Sequence, residues 1–139
     1  MSNMIPVDYM EKYVNVPPEL RICRIWNGKE MIRDVSIGKH MVMEIQDTDI
    51  VMYPVGRKDS RGREIYVGDI AEITIETKFG PIQRTGILRR EGLYCVGIDY
   101  LDKKDNLTDD GDYIDEFYIS EMSVIGNIFE GIYETRAAR

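Results

Sequence analysis

Few side chains in this sequence have the types and spacings that chemistry requires. His40 is the sole histidine, which excludes a histidine pair, a multi-histidine metal site and a Ser-His-Asp triad with a base to spare. A solitary base is the most it could supply. Cys23 and Cys95 lie far apart, with neither a C-x-x-C motif nor a histidine cluster, so no zinc site or redox pair is expected. Each sits in an apolar run and reads as a small buried hydrophobe. The densest chemical groups are acidic: Asp109, Asp110, Asp112, Asp115 and Glu116. Placing Gly111 at the sixth position of a calcium loop puts Asn106 first and Phe117 twelfth, where an Asp and a bidentate Glu are needed. The run therefore reads as solvated charge, at most a weak cation binder. Asp115, Glu116 and Glu121 could be paired carboxylates, but nothing fixes their separation or builds the apolar pocket that splits two pKa values. No catalytic residue, metal ligand or cofactor is expected.

Charge is unevenly placed. The net charge is -7, and the stretch from Asp99 to Glu121 holds seven Asp, two Glu and two Lys, which accounts for the whole excess. An acidic balance argues against general duplex-DNA binding, which depends on Lys and Arg neutralising phosphates. Against it stands a basic group at Arg57, Lys58, Arg61 and Arg63, with Arg84, Arg89 and Arg90 expected on a neighbouring strand. Such a patch could touch single-stranded nucleic acid, with Tyr66 and Tyr94 stacking on bases. The favoured readings are an exposed turn kept soluble by charge, or a patch that meets the acidic segment of a second copy, Asp109 to Glu116, across an interface.

The elements that must position these groups read mainly as β-strands, with a β-rich α+β chain as the alternative. A chain of 139 residues suits one domain that needs no disulfide or metal staple. Val7 to Val14 has helical spacing, so residues 1–19 read as an arm with a short helix, ended by Pro17 and Pro18. Leu20 to Trp26 alternates Leu20, Ile22, Arg24 and Trp26 with Arg21, Cys23 and Ile25. Asn27-Gly28 then signals a hairpin returning through Met31 to Val35. Trp26 reads as a core anchor rather than a stacking platform. Residues 36–53 fit neither period cleanly, and Ile50 to Val55 reads as a strand ending at Pro54. Asp59 and Gly62 suit the ends of a type I turn, and Gly68-Asp69 marks a second. Ala71, Ile73 and Ile75 alternate with Glu72, Thr74 and Glu76. Turns at Phe79-Gly80-Pro81 and Glu91-Gly92 make a meander through Tyr100, with Gly86 and Gly97 read as bulges or bends. Leu101 to Gly111 reads as an acidic loop, Tyr113 to Ile119 as a strand or strand-like arm, and Met122 to Phe129 as a last apolar element broken at Gly126-Asn127. The domain spans residues 20–134, a small antiparallel curled sheet or barrel, with 135–139 a frayed tail.

Three separated pieces resemble the YopX family of phage and prophage proteins. The central piece is similar to that family's motif of a Gly-Leu-Lys-Asp-Lys-Asn-Gly-Lys-Glu-Ile-Tyr-Glu-Gly-Asp-Ile type. It matches at Gly56, Lys58, Asp59, Gly62, Glu64, Ile65, Tyr66, Gly68, Asp69 and Ile70, and departs at Arg57, Ser60 and Val67. Arg24 to Lys29 with Met31 resembles the family's opening, and Val124 to Glu130 its closing motif. The resemblance implies no carried-over catalytic or ligand residue, and its glycines and apolar positions suit a fold signature.

The function expected on these grounds is a non-enzymatic binding or assembly module. Its partner would be another copy of the chain or a phage or host protein. A single-stranded nucleic-acid module using the basic hairpin and an enzyme with an unrecognised acidic site are the alternatives. No apolar run reaches membrane-spanning length and the N-terminus, with Asp8, Glu11 and Lys12, lacks a signal-peptide core, so a cytoplasmic location with no membrane contact is expected.

Overall fold

The computed structural model describes residues 22–36, 49–91 and 95–133. The short helix at Val7 to Val14, His40 with most of its stretch, Gly92, Tyr94 and the tail 135–139 lie outside the described residues. The strands are β1 (Ile22–Trp26), β2 (Met31–Ser36), β3 (Ile50–Met52), β4 (Pro54–Lys58), β5 (Glu64–Tyr66), β6 (Asp69–Thr77), β7 (Gly80–Glu91) and β8 (Cys95–Leu101). After β9 (Leu107–Tyr113) come a single 3-10 turn (Ile114–Glu116), β10 (Ile119–Asn127) and β11 (Gly131–Ile132). The protein is mainly β, as its two-residue periodicity predicts.

A curled six-stranded antiparallel sheet in the order β11-β10-β6-β7-β8-β9 forms a half-barrel. A three-stranded sheet, β2-β1-β3, and the β4-β5 ladder pack with it. Local chemistry explains the turns. Asn27 Oδ1 accepts hydrogen bonds from the Lys29 and Glu30 N–H groups, both at 2.9 Å, and so shapes the β1-β2 connection. Thr77 Oγ1 donates to the Gly80 carbonyl at 2.7 Å and accepts from the Phe79 N–H at 3.1 Å, closing the β6-β7 turn over Lys78 and Phe79. Gly80 and Pro81 therefore already belong to β7, one step past the expected turn.

Alternation along β6 decides which face is buried. Ala71, Ile73 and Ile75 join Leu88, Ile98, Tyr100 and Val124 in the main core, whereas Ile70, on the other face, packs with Ile87, Leu101 and Ile125. Residues of β3, β4 and β5, among them Met52, Val55 and Ile65, enter the main core, so one hydrophobic cluster unites the sheets. Trp26 is the anchor expected of it: its ring stacks on Phe129 with centroids 5.4 Å apart and planes 13° from parallel.

Several local expectations are corrected. Gly86 and Gly97 lie in unbroken register, not in bulges. What they provide is room: a Cβ at Gly86 would lie 2.6 Å from the Asp99 carbonyl oxygen, and one at Gly97 would lie 2.4 Å from the Arg89 guanidinium carbon. The acidic loop is a tight turn followed by β9, which pairs with β8. Asp is a poor strand former, but an edge position lets its charge stay in water. Tyr113 to Ile119 is a 3-10 turn between strands, not one strand. Pro54 opens β4 instead of ending its predecessor, a position where its missing N–H costs no ladder bond. Cys23 is buried as expected, but Cys95, at the start of β8, is exposed.

Candidate functional site

The predicted basic group does not form one patch. Arg57 pairs with Asp115 of the same chain, and Arg57 and Lys58 line a shallow depression of ≈ 170 Å³ with Ile119 and Met122. Arg61 is exposed on the turn. Arg63 turns the other way, donating from Nε to Asp59 Oδ2 at 3.0 Å and from its terminal nitrogen to the Val124 carbonyl at 2.7 Å. Arg84 pairs with Asp110 at 3.2 Å and lies over the Tyr100 ring at 3.6 Å, while Arg89 and Arg90 are buried and add nothing to a basic surface. On the acidic side, Asp109 and Asp110 are exposed and Asp112 half-buried on edge strand β9, with Asp115 and Glu116 exposed on the 3-10 turn. No group of three or more His, Cys, Asp or Glu among the described residues is placed to hold a metal ion. Tyr66 is buried with the Arg24 guanidinium 4.2 Å above its ring, which covers the face that base stacking would need. No helix among the described residues is long and apolar enough to cross a membrane.

Asp59 is more than a turn residue. Its Oδ1 accepts from the Arg61 and Arg63 N–H groups at 3.0 and 2.9 Å, and its Oδ2 accepts from the Val124 N–H at 3.0 Å. The Asp59–Gly62 turn is thereby fastened to β10. Burial alone would raise this carboxyl, but the three backbone donors and the Arg63 guanidinium hold it below the usual Asp value.

Arg63 also helps enclose a cavity of ≈ 330 Å³, whose wall includes Arg24 of β1, Arg33 of β2, Tyr66 of β5, Asp69 of β6 and Tyr133 just after β11. At its floor Arg24 forms an ion pair with fully buried Asp69, whose Oδ2 also accepts from the Tyr66 N–H at 2.9 Å. Burial pushes the Asp69 carboxyl up, while Arg24 and the Tyr66 N–H pull against that rise. Arg24 Nε is buried and has no hydrogen-bond partner among the described residues. Arg33 is exposed and pairs with Glu130 at 2.9 Å. The Tyr133 phenol is pushed up by burial and then by the nearby Asp69 charge. Sequence reasoning missed this arrangement because its members are far apart along the chain. One signal was present: Arg24 interrupts the apolar side of its strand, where a buried charge needs a buried partner.

A second surface lies at one end of the half-barrel. Phe79 is 90% exposed, Tyr118 72% and Ile82 49%. Register places them near the same end of β6, with Ile82 on the face of its partner Ile75 and Tyr118 beside the next residue, Glu76. Ile82 and Ile119 both pair with Ile75, and the Glu76 N–H donates to the Tyr118 carbonyl at 2.9 Å. Lys78 sits 5.1 Å from the Phe79 ring.

The chain matches the family model described as YopX protein over residues 11–131. No curated protein and no solved structure matches it.

Proposed function

We propose a binding role, starting from the fact that the chain belongs to the YopX family. The protein is a non-enzymatic binding and assembly module whose contact surface is the apolar end of the half-barrel. Its first partner is a second copy of itself. The supporting observation is the exposure of Phe79, Tyr118 and Ile82 near one end of the sheet. Scattered single apolar residues are ordinary, but three large ones, two of them aromatic, near one end of a sheet favour a contact site.

A second copy suits this surface because opposite charges flank it: Lys78 lies in the turn and Glu76 in the strand beside it. A twofold axis through the apolar end would bring each Lys78 to the other copy's Glu76, as an isologous interface requires. Burying a large apolar side chain stabilises by about 1.5–3 kcal/mol. At exposures of 90%, 72% and 49%, the six from two copies would contribute roughly 6–13 kcal/mol, against about 4–15 kcal/mol for lost translational and rotational freedom. A weak dimer follows, with Kd in the micromolar to millimolar range. Salt should have a minor influence, since Arg57 and Arg84 already hold Asp115 and Asp110 within one chain.

Sedimentation velocity across a concentration series tests this. The sedimentation coefficient should rise with concentration for the natural chain and stay at the monomer value for the double variant Phe79→Ser, Tyr118→Ser. A natural chain that stays monomeric up to ~1 mM, where an interface of ~4 kcal/mol would show, refutes self-assembly. Equal behaviour of the two proteins refutes the assignment of the surface.

A further inference from the structure

We propose that β9 is a guarded edge: its broken register and its acidic side chains keep the half-barrel from pairing strand to strand with another copy, which confines assembly to the apolar end. A curled sheet that does not close on itself has two edges, each a row of main-chain donors and acceptors that can template a further strand. One edge here is β11, two residues long, and the other is β9, with seven. The long edge is the one that needs protection, and it carries two separate devices.

The first is in the backbone. The β8-β9 register pairs Gly97 with Tyr113, Ile98 with Asp112 and Asp99 with Gly111, then resumes at Leu101 with Leu107. Between those points β8 has Tyr100 alone, against Thr108, Asp109 and Asp110 of β9. A side chain holds the surplus: Thr108 Oγ1 donates to the Tyr100 carbonyl at 2.8 Å and accepts from the Asp110 N–H at 3.1 Å. With that N–H taken up within its own strand, an incoming strand meets a bulged edge instead of a straight row of donors. The second device is charge. Arg84 pairs with Asp110 at 3.2 Å, whereas Asp109 and Asp112 have no cationic partner among the described residues, so β9 keeps two negative charges. Two β9 edges brought together would place four such carboxylates in one ladder, where facing like charges destabilise the pairing. The consequence is a limit on assembly, and it rests on the proposed twofold contact at the apolar end. A copy with one self-complementary contact stops at a dimer; a copy with a second, along β9, would link dimers into open chains.

Asp109→Asn with Asp112→Asn removes the charge and leaves the Arg84–Asp110 pair in place. In sedimentation velocity over one concentration series, this variant should form species larger than a dimer, and the natural chain should not. Asp109→Asn alone, at an exposed position, should shift the sedimentation coefficient in the same direction. Added to Phe79→Ser, Tyr118→Ser, the two Asn changes should give a dimer and nothing larger, with new hydrogen-exchange protection at the amides of residues 107–113. Asp109→Lys with Asp112→Lys should behave as the natural chain does, because charge of either sign keeps two edges apart. Glu64→Gln with Glu121→Gln removes two exposed charges elsewhere and should also change nothing. Asn variants that sediment as the natural chain does, new protection outside β9, or equal association of the Glu64, Glu121 variant overturns the inference. A natural chain that stays monomeric beside a dimeric Asn variant overturns the contact at the apolar end and supports the guarded edge, so the two readings fail separately.

Discussion

Asp59→Asn exchanges one oxygen for an NH2 group, yet it should destabilise the fold by about 2–4 kcal/mol. The carboxylate accepts four hydrogen bonds: from the Arg61 and Arg63 N–H groups on one oxygen, and from the Val124 N–H and Arg63 Nε on the other. Asn keeps a single oxygen and can serve one pair only. Its NH2 then faces two donors. Hydrogen bonds to a charged group contribute roughly 1.5–3 kcal/mol each, so losing two removes about 3–6 kcal/mol, partly offset because a charge need no longer be buried. For a chain of this size the melting temperature should fall by about 8–15 °C at neutral pH.

The pH dependence is a sharper check. The folded carboxyl titrates below its ordinary value, and the unfolded one near ~3.9. Its stabilisation is therefore fully present above the unfolded pKa and is lost as pH falls through the folded one. The difference in melting temperature between the natural protein and Asp59→Asn should be flat from pH 6 to 8 and shrink below about pH 4. A gap that is absent at pH 7, or as wide at pH 2.5 as at pH 7, would refute the view that the ionised carboxylate fastens the turn to β10.

Two further outcomes are expected. Gly68 has φ +93°, its N–H donates to the Leu88 carbonyl at 2.9 Å, and its carbonyl accepts from the Ile128 N–H at 3.0 Å. Gly68→Val should therefore lower stability by about 1–3 kcal/mol in a thermal melt, since a β-branched residue is strained there; an unchanged melt would show that the turn tolerates side chains. Burial pushes the Cys23 thiol up to about 11, whereas Cys95 is exposed. At pH 8 a thiol reagent should modify one cysteine per native chain quickly and the second only on unfolding, and rapid labelling of both would contradict the burial of Cys23.

Much of the fold was legible because it rests on local signals. Asn27-Gly28, the Asp59–Gly62 turn and the alternation from Ala71 to Glu76 are statements about neighbours in sequence, and the structure keeps all of them. The misreadings have a common origin in non-local contacts. Gly86 and Gly97 read as bulges or bends because a glycine in a strand shows only its own backbone freedom, and the bulge half fails: the Asp99 carbonyl and the Arg89 guanidinium that crowd them come from another strand. The Asp-rich stretch of β9 read as a loop because Asp disfavours strands, and only its edge position makes the ladder acceptable. The cavity was hidden for the same reason: Arg24, Arg33 and Asp69 come from separate strands of two sheets.

The three sequence pieces that carry the family resemblance converge in space, which explains why they read as a fold signature. Trp26 of the opening piece stacks on Phe129 of the closing piece. Arg24 of the opening piece pairs with Asp69 of the central piece. The central Asp59 accepts from the Val124 N–H of the closing piece at 3.0 Å, and the central Gly68 accepts from its Ile128 N–H. Buried polar groups of this kind are satisfied in few arrangements, so they select one closure of the sheet against others of similar hydrophobic content. Arg24, Tyr66, Asp69 and Val124 also line the cavity, so the residues that close the fold give the cavity its shape. Arg24→Ala or Asp69→Ala would leave a buried charge without its partner, at a cost of about 3–5 kcal/mol. The rim is different: Arg33 and Tyr133 are substantially exposed, so their side chains can be changed while the junction of the three pieces stays intact.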